Sequence, residues 1–194
     1  HLCNKALAVM PALLEKHGIT AYDEASGQGL LRRVVFRASA ARSQLMVVFV
    51  INGEAIPKAD ELIMDMRVAL PELASVAQNV NQKRTGVIMG ESTKVLWGQP
   101  YIIEEFNELR FAISPRSFFQ VNTQQAAVLC RQAAEYAGAA GSSKAIDCYC
   151  GTGSIALHLA KQGARVVGVE VVPEAISDAK LNAELNEIKT ADFR

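Results

Sequence analysis

The sequence predicts an α/β fold in which an α+β domain precedes the opening of a doubly wound parallel sheet. Three observations support this prediction. The glycine turn Gly151-Thr152-Gly153 stands between a short apolar segment and an apolar helical segment, and Glu170 follows Gly153 by seventeen residues. From residue 144 onward, strand-like and helix-like segments alternate, which is typical of a parallel sheet. Before residue 114, short strand candidates instead follow one another, separated by glycine, asparagine or proline.

Residues 1–113 are predicted to form the α+β domain. Residues 5–17 have helical composition and are followed by Gly18, which suits a helix C-terminus. Two segments rich in Val, Phe and Ile predict an antiparallel hairpin, and the apolar spacing of residues 58–70 predicts a helix. The predicted strands, paired mostly antiparallel, are residues 30–38, 44–51, 74–81, 86–89, 94–97, 101–104 and 109–113.

Residues 114–194 are predicted to begin the doubly wound domain. Asn122 or Thr123 caps a helix over residues 122–137, which Gly138 closes. The predicted elements that follow are a loop at 138–143, strand 144–149, helix 153–161, strand 165–170, helix 173–186 and a short strand near Ala191. Doubly wound sheets have more strands than these, so the chain is expected to stop within this domain. Its first strand would then have an unpaired edge, which invites a dimer through edge-strand pairing.

Composition argues against several classes of protein. The 194 residues carry 20 basic and 20 acidic side chains, so the net charge gives no attraction to nucleic acid or to a membrane. No apolar segment reaches the length of about 18 residues that a membrane crossing needs, and no signal peptide is visible. Four cysteines in a chain of this size do not predict the disulfide framework of a secreted protein. We therefore expect a cytoplasmic protein.

Any contact with RNA would have to be made by a local basic patch. Arg33 and Arg37 share one face of a predicted strand, and Lys83 and Arg84 lie in a predicted loop. These side chains either contact the phosphates of an RNA stem or form an ordinary solvated face. Both interpretations stay open at this point.

The glycine turn predicts a nucleoside-containing cofactor at the carboxyl end of the sheet. Gly151 and Gly153 let a ligand approach the backbone closely, and Glu170 is spaced to accept hydrogen bonds from ribose hydroxyls. Asp147 lies four residues before Gly151. Its carboxylate would repel phosphate groups but attract the ammonium and sulfonium groups of S-adenosylmethionine. The sequence therefore favours an S-adenosylmethionine site over a nicotinamide or flavin site, or over a purely structural turn.

Two cysteines flank Tyr149 within this turn. Zinc-binding pairs usually have two to four intervening residues, whereas a single residue separates Cys148 from Cys150. Alternate residues of a strand also face opposite sides of the sheet, and no base lies nearby in sequence to activate either thiol. We therefore predict core residues here and no metal ligand or nucleophile.

The segment from Ser114 to Asn122 enters the second domain just before its first predicted helix. One interpretation places Gln120 in the cofactor cleft, with Phe118 or Phe119 packed beneath it. The other regards the aromatic pair as hinge packing, and the residues alone do not decide between the two.

Four segments of the second domain carry a family resemblance. They are Ser-Pro-Arg-Ser-Phe-Phe-Gln-Val-Asn at 114–122, Asp-Cys-Tyr-Cys-Gly-Thr-Gly-Ser at 147–154, Gly-Val-Glu-Val-Val-Pro-Glu-Ala-Ile at 168–176 and Asp-Ala-Lys-Leu-Asn-Ala-Glu-Leu-Asn at 178–186. In this order and spacing they resemble the RNA uracil-C5 methyltransferase family, which makes 5-methyluridine in ribosomal and transfer RNA. A weaker resemblance reaches back through residues 79–81 and 87–90 to Cys3.

This resemblance implies a class I (Rossmann-like) methyltransferase domain, S-adenosylmethionine as cofactor, and uridine C5 of RNA as substrate, with 23S ribosomal RNA as the first expectation. It gives cofactor-contacting roles to Gln120, Tyr149, Ser154 and Glu170. With the residues predicted from the turn itself, the predicted cofactor site comprises Gln120, Asp147, Tyr149, Gly151, Gly153, Ser154 and Glu170.

The resemblance also implies parts that this chain lacks. The family's nucleophilic cysteine and its base come after position 194, and its common N-terminal RNA-binding barrel comes before position 1, so the chain by itself is expected to be inactive. Cys3 falls where many members have the last cysteine of an iron–sulfur site, but one cysteine cannot hold a cluster. Two alternatives stay open: another class I methyltransferase, and a non-catalytic module that binds RNA or S-adenosylmethionine.

Overall fold

Residues 1–138 and 143–194 are described in the computed structural model, and they divide into two units, His1–Ile102 and Ile103–Arg194. Each unit has its own buried apolar core. Most of the predicted loop at 138–143 lies outside the described residues. Within the described ranges, no helix combines the length and the apolar character that a membrane crossing requires.

The first unit is a four-stranded sheet with two helices. Its elements are α1 (Leu2–Lys16), β1 (Leu31–Ser39), β2 (Gln44–Ile51), α2 (Ala59–Ala69), β3 (Leu73–Val80) and β4 (Ser92–Gly98). The strand order is β1-β2-β3-β4. The predicted antiparallel pairing of β1 with β2 is confirmed, and β3 and β4 are also antiparallel. The pairing of β2 with β3 is parallel, because α2 supplies the crossover that a parallel connection needs.

Helix α2 packs on this sheet through the apolar side chains that predicted it. Leu62, Ile63 and Met66 are at most 4% exposed and belong to the same core cluster as Phe49 of β2. Their spacing places them on one face of a helix with 3.6 residues per turn. The opposite face of α2 is exposed, as Val68 shows with 84% of its surface accessible.

The predicted strand at residues 86–89 is wrong, because this segment is a loop. Two asparagine side chains take the hydrogen bonds that a neighbouring strand would otherwise supply. The Asn81 side-chain amide donates to the carbonyls of Val87 and Ile88, and Asn79 both donates to the Gly90 carbonyl and accepts from the Gly90 N–H. Val87 and Ile88 are more than half exposed, so the apolar pattern that predicted a strand reflects surface residues here.

The second unit is an α/β layer, as the alternating pattern predicted. Its elements are β5 (Ile102–Phe106, beginning at the division), β6 (Leu109–Ile113), α3 (Thr123–Ala137), β7 (Lys144–Asp147), α4 (Ser154–Lys161), β8 (Arg165–Gly168), α5 (Pro173–Leu185) and β9 (Ala191–Phe193). The three strands β7, β8 and β9 form a parallel sheet in that order. Strands β7 and β8 each end two residues before their predicted ends, because the chain turns where the cofactor-site candidates begin.

The observed division lies before the predicted boundary at residues 113 and 114. Strands β5 and β6 pair with each other through a two-residue turn in which Asn107 and Glu108 both have positive φ, 49° and 59°, as type I′ hairpins require. Phe106, Leu109 and Phe111 from this hairpin belong to the core of the second unit. Their aromatic and apolar side chains therefore bind the hairpin to the unit that follows it in the chain.

Candidate functional site

The glycine turn connects β7 to α4. Gly151 and Gly153 both have positive φ, 53° and 85°, a conformation that costs other residues free energy. A Cβ on Gly153 would lie 3.0 Å from the Phe193 ring, so this glycine is needed for packing against β9. A Cβ on Gly151 would have no heavy atom within 4 Å. The turn thus leaves open space at Gly151 and none at Gly153.

Two adjoining clefts lie against this turn, and both are lined by Phe118, Tyr149, Gly151 and Thr152. The first has a volume of about 140 Å³, and its walls also include Phe119, Gln120, Asp147, Ser154 and Ile155. The second has a volume of about 330 Å³, and its walls also include Arg116, Glu170, Val172 and Glu174. The second volume is within the range of about 300–1,000 Å³ that is usual for small-molecule sites.

Asp147 ends β7 and lines the first cleft, half-buried. Burial raises the pKa of this carboxyl above its usual value, and the negative charge of Glu170 raises it further, while the backbone N–H groups of Tyr149 and Ala156 act in the opposite direction. Two like charges close to the same turn destabilise each other. A bound cation would offset this repulsion and favour the ionised form of Asp147.

Glu170 lies two residues beyond the end of β8 and lines the second cleft. Its carboxylate accepts three backbone hydrogen bonds: Oε2 from the N–H of Gly151 at 3.2 Å, and Oε1 from the N–H groups of Val171 and Val172 at 2.8 and 3.0 Å. The side chain therefore holds the glycine turn next to the start of α5. This is a specific role that an ordinary surface acid at a strand end would not have.

Exposed aromatic rings stand at the rim of the clefts. Tyr149 is 91% exposed and Phe118 is 75% exposed, which is unusual for large side chains with apolar faces. Phe119 is partly buried and packs edge-on against Phe106, 6.0 Å between ring centroids. Gln120 and Phe119 both line the first cleft.

The four cysteines are all free. Burial, followed by the charge of Asp147, raises the pKa of Cys130 to about 11, and burial together with the charges of Asp147 and Glu170 raises that of Cys150 to about 11. Both thiols are therefore protonated at neutral pH and are poor nucleophiles. The prediction of a core residue is wrong for Cys148, which is exposed, whereas Cys150 is buried.

Cys3 lies in α1, and partial burial raises its pKa as well. Across residues 1–138 and 143–194, no three His, Cys, Asp or Glu side chains come together in a way that could hold a metal ion. The residues around Cys3 thus do not fit an iron–sulfur cluster.

One residue that shapes the site is not among those predicted from the sequence. Asn182 of α5 is fully buried; its Oδ1 accepts from the Ala112 N–H at 2.7 Å, and its Nδ2 donates to the Thr152 carbonyl at 2.9 Å. It therefore ties the glycine turn to β6. A signal was present in the sequence, because Asn182 is four residues from both Asp178 and Asn186, and this spacing places all three on one helix face.

The structure brings most of the predicted cofactor residues together. Those that line one or both clefts are Gln120, Asp147, Tyr149, Gly151, Ser154 and Glu170. Gly153 lies beneath the turn, buried against Phe193, and shapes the site without lining it.

Known proteins resemble this chain along nearly all of its length. Residues 140–194 match the family model of a methyltransferase domain. An uncharacterized RNA methyltransferase of Oceanobacillus iheyensis is 46% identical over 98% of the chain, and one of Halalkalibacterium halodurans is 47% identical over 98%. The chain spans 41% and 42% of these two relatives, less than half of each.

A solved structure agrees with these relatives. The Pyrococcus abyssi tRNA (uracil-54, C5)-methyltransferase in complex with S-adenosyl-L-homocysteine superposes on 98% of the chain with a TM-score of 0.81 and 28% identity, and the chain covers 45% of it. The chain therefore has the α/β, Rossmann-like fold of an S-adenosylmethionine-dependent methyltransferase and is similar to part of proteins named as RNA methyltransferases.

Proposed function

We propose that this chain supplies the cofactor cleft of an enzyme that methylates uridine C5 in RNA with S-adenosylmethionine. The observation that carries the proposal is the pair of carboxylates, Asp147 and Glu170, on either side of a glycine turn with open space at Gly151. The solved tRNA (uracil-54, C5)-methyltransferase with bound S-adenosyl-L-homocysteine supports it.

The walls of the clefts suit the parts of S-adenosylmethionine. Glu170 would accept hydrogen bonds from the ribose, and the half-buried Asp147 would face a cationic group, since charge attraction is strong where water is partly excluded. The apolar faces of Phe118, Tyr149 and Ile155 line the same clefts and would pack against the adenine ring. The cofactor would bring the methyl group that is transferred.

The chemistry at uridine needs groups that these residues do not provide. In the family that the sequence resembles, a cysteine thiolate adds to uracil C6, C5 takes the methyl group, and a base removes the C5 proton so that the thiolate can leave. Cys130 and Cys150 are protonated at neutral pH. We propose that the nucleophile and the base belong to the longer protein, and that the chain alone binds the cofactor without transferring its methyl group.

The substrate is proposed to be RNA, met in the cytoplasm, with 23S ribosomal RNA and transfer RNA as the two candidates. Relatives named as RNA methyltransferases support RNA as the substrate class. The solved structure is named as a tRNA methyltransferase, and this favours transfer RNA over ribosomal RNA.

Calorimetry with S-adenosylhomocysteine tests cofactor binding by the chain. We expect the chain to bind it, and we expect Asp147→Asn and Glu170→Gln to raise Kd about tenfold or more, because each removes a charge-assisted contact of about 1.5–3 kcal/mol. Glu184→Gln is the matched control, since Glu184 lies exposed on α5 outside both clefts. Absence of binding, or tighter binding of a nicotinamide dinucleotide, would contradict the proposal.

A methylation assay with the longer protein tests the substrate. Transcripts of 23S ribosomal RNA and of transfer RNA are incubated with labelled S-adenosylmethionine, and the modified nucleoside is identified by mass spectrometry. We expect 5-methyluridine from one of them. A methyl group on another base would overturn the assignment to uridine, and transfer by the 194-residue chain alone would overturn the proposal that the nucleophile lies elsewhere.

A further inference from the structure

Helix α5 and its C-cap residue, Asn186, present a polar side chain at every fourth position along one face. These side chains contact every second residue of β6 and of the segment that follows it, and the strand runs antiparallel to the helix. The pairs are Asn186 with Arg110, Asn182 with Ala112, Asp178 with Ser114 and Glu174 with Arg116. We call this set of four contacts the α5 ladder.

The two asparagine contacts of the α5 ladder bind backbone atoms. Asn186 Oδ1 accepts from the Arg110 N–H at 2.8 Å, and its Nδ2 donates to the Arg110 carbonyl at 2.7 Å. Asn182 Oδ1 accepts from the Ala112 N–H at 2.7 Å. These bonds replace those of a neighbouring strand, so they fix which residues of β6 face the helix.

The two acidic contacts bind the segment that leads into the clefts. Asp178 Oδ2 accepts from the Ser114 hydroxyl at 2.8 Å, and Glu174 Oε1 accepts from Arg116 Nη1 at 3.0 Å. Asp178 and Ser114 are both partly buried, whereas Glu174 is 54% exposed at its side chain. Because exposed ion pairs contribute little free energy, the Asp178 contact is expected to matter more than the Glu174 contact.

Helix and strand geometry explain why the ladder keeps its register. Four helical residues rise about 6.0 Å, and two strand residues rise about 6.6 Å. The repeat distances nearly agree, so contacts formed at one end of α5 remain aligned at the other end. A shift of the strand by one residue would turn its side chains to the opposite face and would point its backbone N–H groups toward the opposite edge, so every contact would break together.

The ladder ends in the walls of the clefts. Residues 116–120 line one or both clefts, and Glu174 lines the second. Asn182 also donates to the carbonyl of Thr152, which joins the glycine turn to the same helix face. One face of α5 therefore holds both chain segments that form the clefts.

We infer that the α5 ladder positions the segment Ser114–Gln120 and the glycine turn for ligand binding, with Asp178 and Asn182 as its principal positioning residues. The ligand part of this inference rests on the proposed function, while the positioning part does not. Asp178 lines neither cleft and acts through its hydrogen bond with Ser114.

Hydrogen exchange of backbone amides tests the positioning part without any ligand. In Asp178→Ala, the amide of Ser117, a residue that is only 5% exposed in the unmodified chain, should exchange at least tenfold faster, while amides of β8 should keep their protection. Asp178→Asn retains an acceptor for the Ser114 hydroxyl and should restore most of the protection. Glu184→Gln, on the same helix but outside the ladder, should exchange like the unmodified chain.

Calorimetry with S-adenosylhomocysteine tests the ligand part on the same variants. Asp178→Ala should raise Kd about tenfold, which corresponds to about 1.4 kcal/mol, and Asp178→Asn should lie near the unmodified chain. If exchange of the Ser117 amide is unchanged in Asp178→Ala, the inference is overturned, whether or not the ligand binds.

A failure of the positioning part and a failure of the proposed cofactor are therefore distinguishable. Faster exchange in a chain that never binds S-adenosylhomocysteine would preserve the ladder as a positioning device and reject the proposed cofactor. Normal binding by Asp178→Ala together with faster exchange would reject the ligand part alone.

Discussion

Strand β2 of the first unit and strand β7 of the second use their residues in opposite ways. Every residue of β2 from Leu45 to Ile51 is at most 1% exposed, and the strand lies between two others. Strand β7 lies at one end of the β7-β8-β9 order, and its Ile146 is 69% exposed. Strand β2 therefore serves stability along its whole length, whereas β7 matters for the carboxylate that its last residue, Asp147, brings to the clefts.

Truncating a side chain in β2 should have the largest effect on stability. Phe49 is fully buried in the core of the first unit, so Phe49→Ala should lower the free energy of unfolding by about 3–5 kcal/mol. Urea unfolding followed by fluorescence of Trp97, the single tryptophan, reports on this unit. The matched substitution in β7, Ile146→Ala, is followed by circular dichroism, which also reports on the second unit, and should lower the free energy of unfolding by less than about 0.5 kcal/mol. Equal effects of the two substitutions would contradict the different roles of the two strands.

A smaller loss is expected from one methyl group at the end of β8. A Cβ on Gly168 would lie 2.5 Å from the Phe193 ring and 3.0 Å from Cys150 Sγ, so Gly168→Ala should cost about 1–3 kcal/mol through overpacking. Circular dichroism during urea unfolding measures it. Gly86→Ala is the control, because a Cβ there would have no heavy atom within 4 Å; if Gly168→Ala is as stable as this control, the packing around Phe193 is looser than described.

The second unit should lose stability at mildly acidic pH through His158. Its Nδ1 donates to the Ser154 carbonyl at 2.6 Å, and its Nε2 accepts from the Asn107 amide at 2.9 Å. Burial lowers the pKa of His158, and the charges of Lys161 and Arg131 lower it further, against the opposing effect of the Ser154 carbonyl. The unfolded chain, with a histidine pKa of about 6.5, therefore binds the proton more readily than the folded chain.

The sign follows from proton binding. This contribution to stability is complete above about pH 6.5 and declines as the pH falls from there toward the lower pKa of the folded state. Urea unfolding at pH values from about 7.5 to about 5 should show the decline, and His158→Gln should remove it. The pKa of Asp147 is raised in the fold, so its contribution to stability changes with pH in the opposite direction. Subtracting the unfolding free energies of His158→Gln from those of the unmodified chain therefore leaves the contribution of the histidine. If the unfolding free energy falls equally steeply with decreasing pH in the unmodified chain and in His158→Gln, His158 is not buried in its neutral form.

The smallest effect on folding, but a visible one on association, is expected at the edge of β7. We expect the chain to self-associate at high concentration through this strand, and Ile146→Lys to reduce that association, because a charge on an edge strand opposes pairing. Sedimentation velocity measures it. Val68→Lys, at an exposed position of α2, should leave association unchanged. A chain that stays monomeric at every concentration would reject pairing through β7.

The sequence predicted most helices and strands because their apolar spacing was regular. It failed at residues 86–89, where an apolar segment is held as a loop by the side chains of Asn79 and Asn81, partners that only the folded chain brings close. It also placed the β5–β6 hairpin in the first domain. The apolar pattern of the hairpin does not indicate which of the two cores buries Phe106 and Phe111.

The candidate site was predictable where its chemistry is local. Asp147, Gly151 and Glu170 are linked by spacing along the chain, and the structure gathers them around the clefts. The α5 ladder was not predicted, because its contacts join residues 58 to 76 positions apart. In sequence, the four-residue spacing of its polar residues marks one face of a helix, but it does not show that this face contacts β6.

Glu170 has little acceptor capacity left for a ligand. Two of its backbone bonds share Oε1 and the third occupies Oε2, and a carboxylate offers about four acceptor positions. A ribose with two adjacent hydroxyls needs two of them. Binding both would require one backbone donor to leave, and the longest bond, from Gly151 at 3.2 Å, is the one that opens with least loss. Binding of the ribose would then break the hydrogen bond between Gly151 and Glu170. A ribose hydroxyl would replace the Gly151 N–H as a donor to this carboxylate.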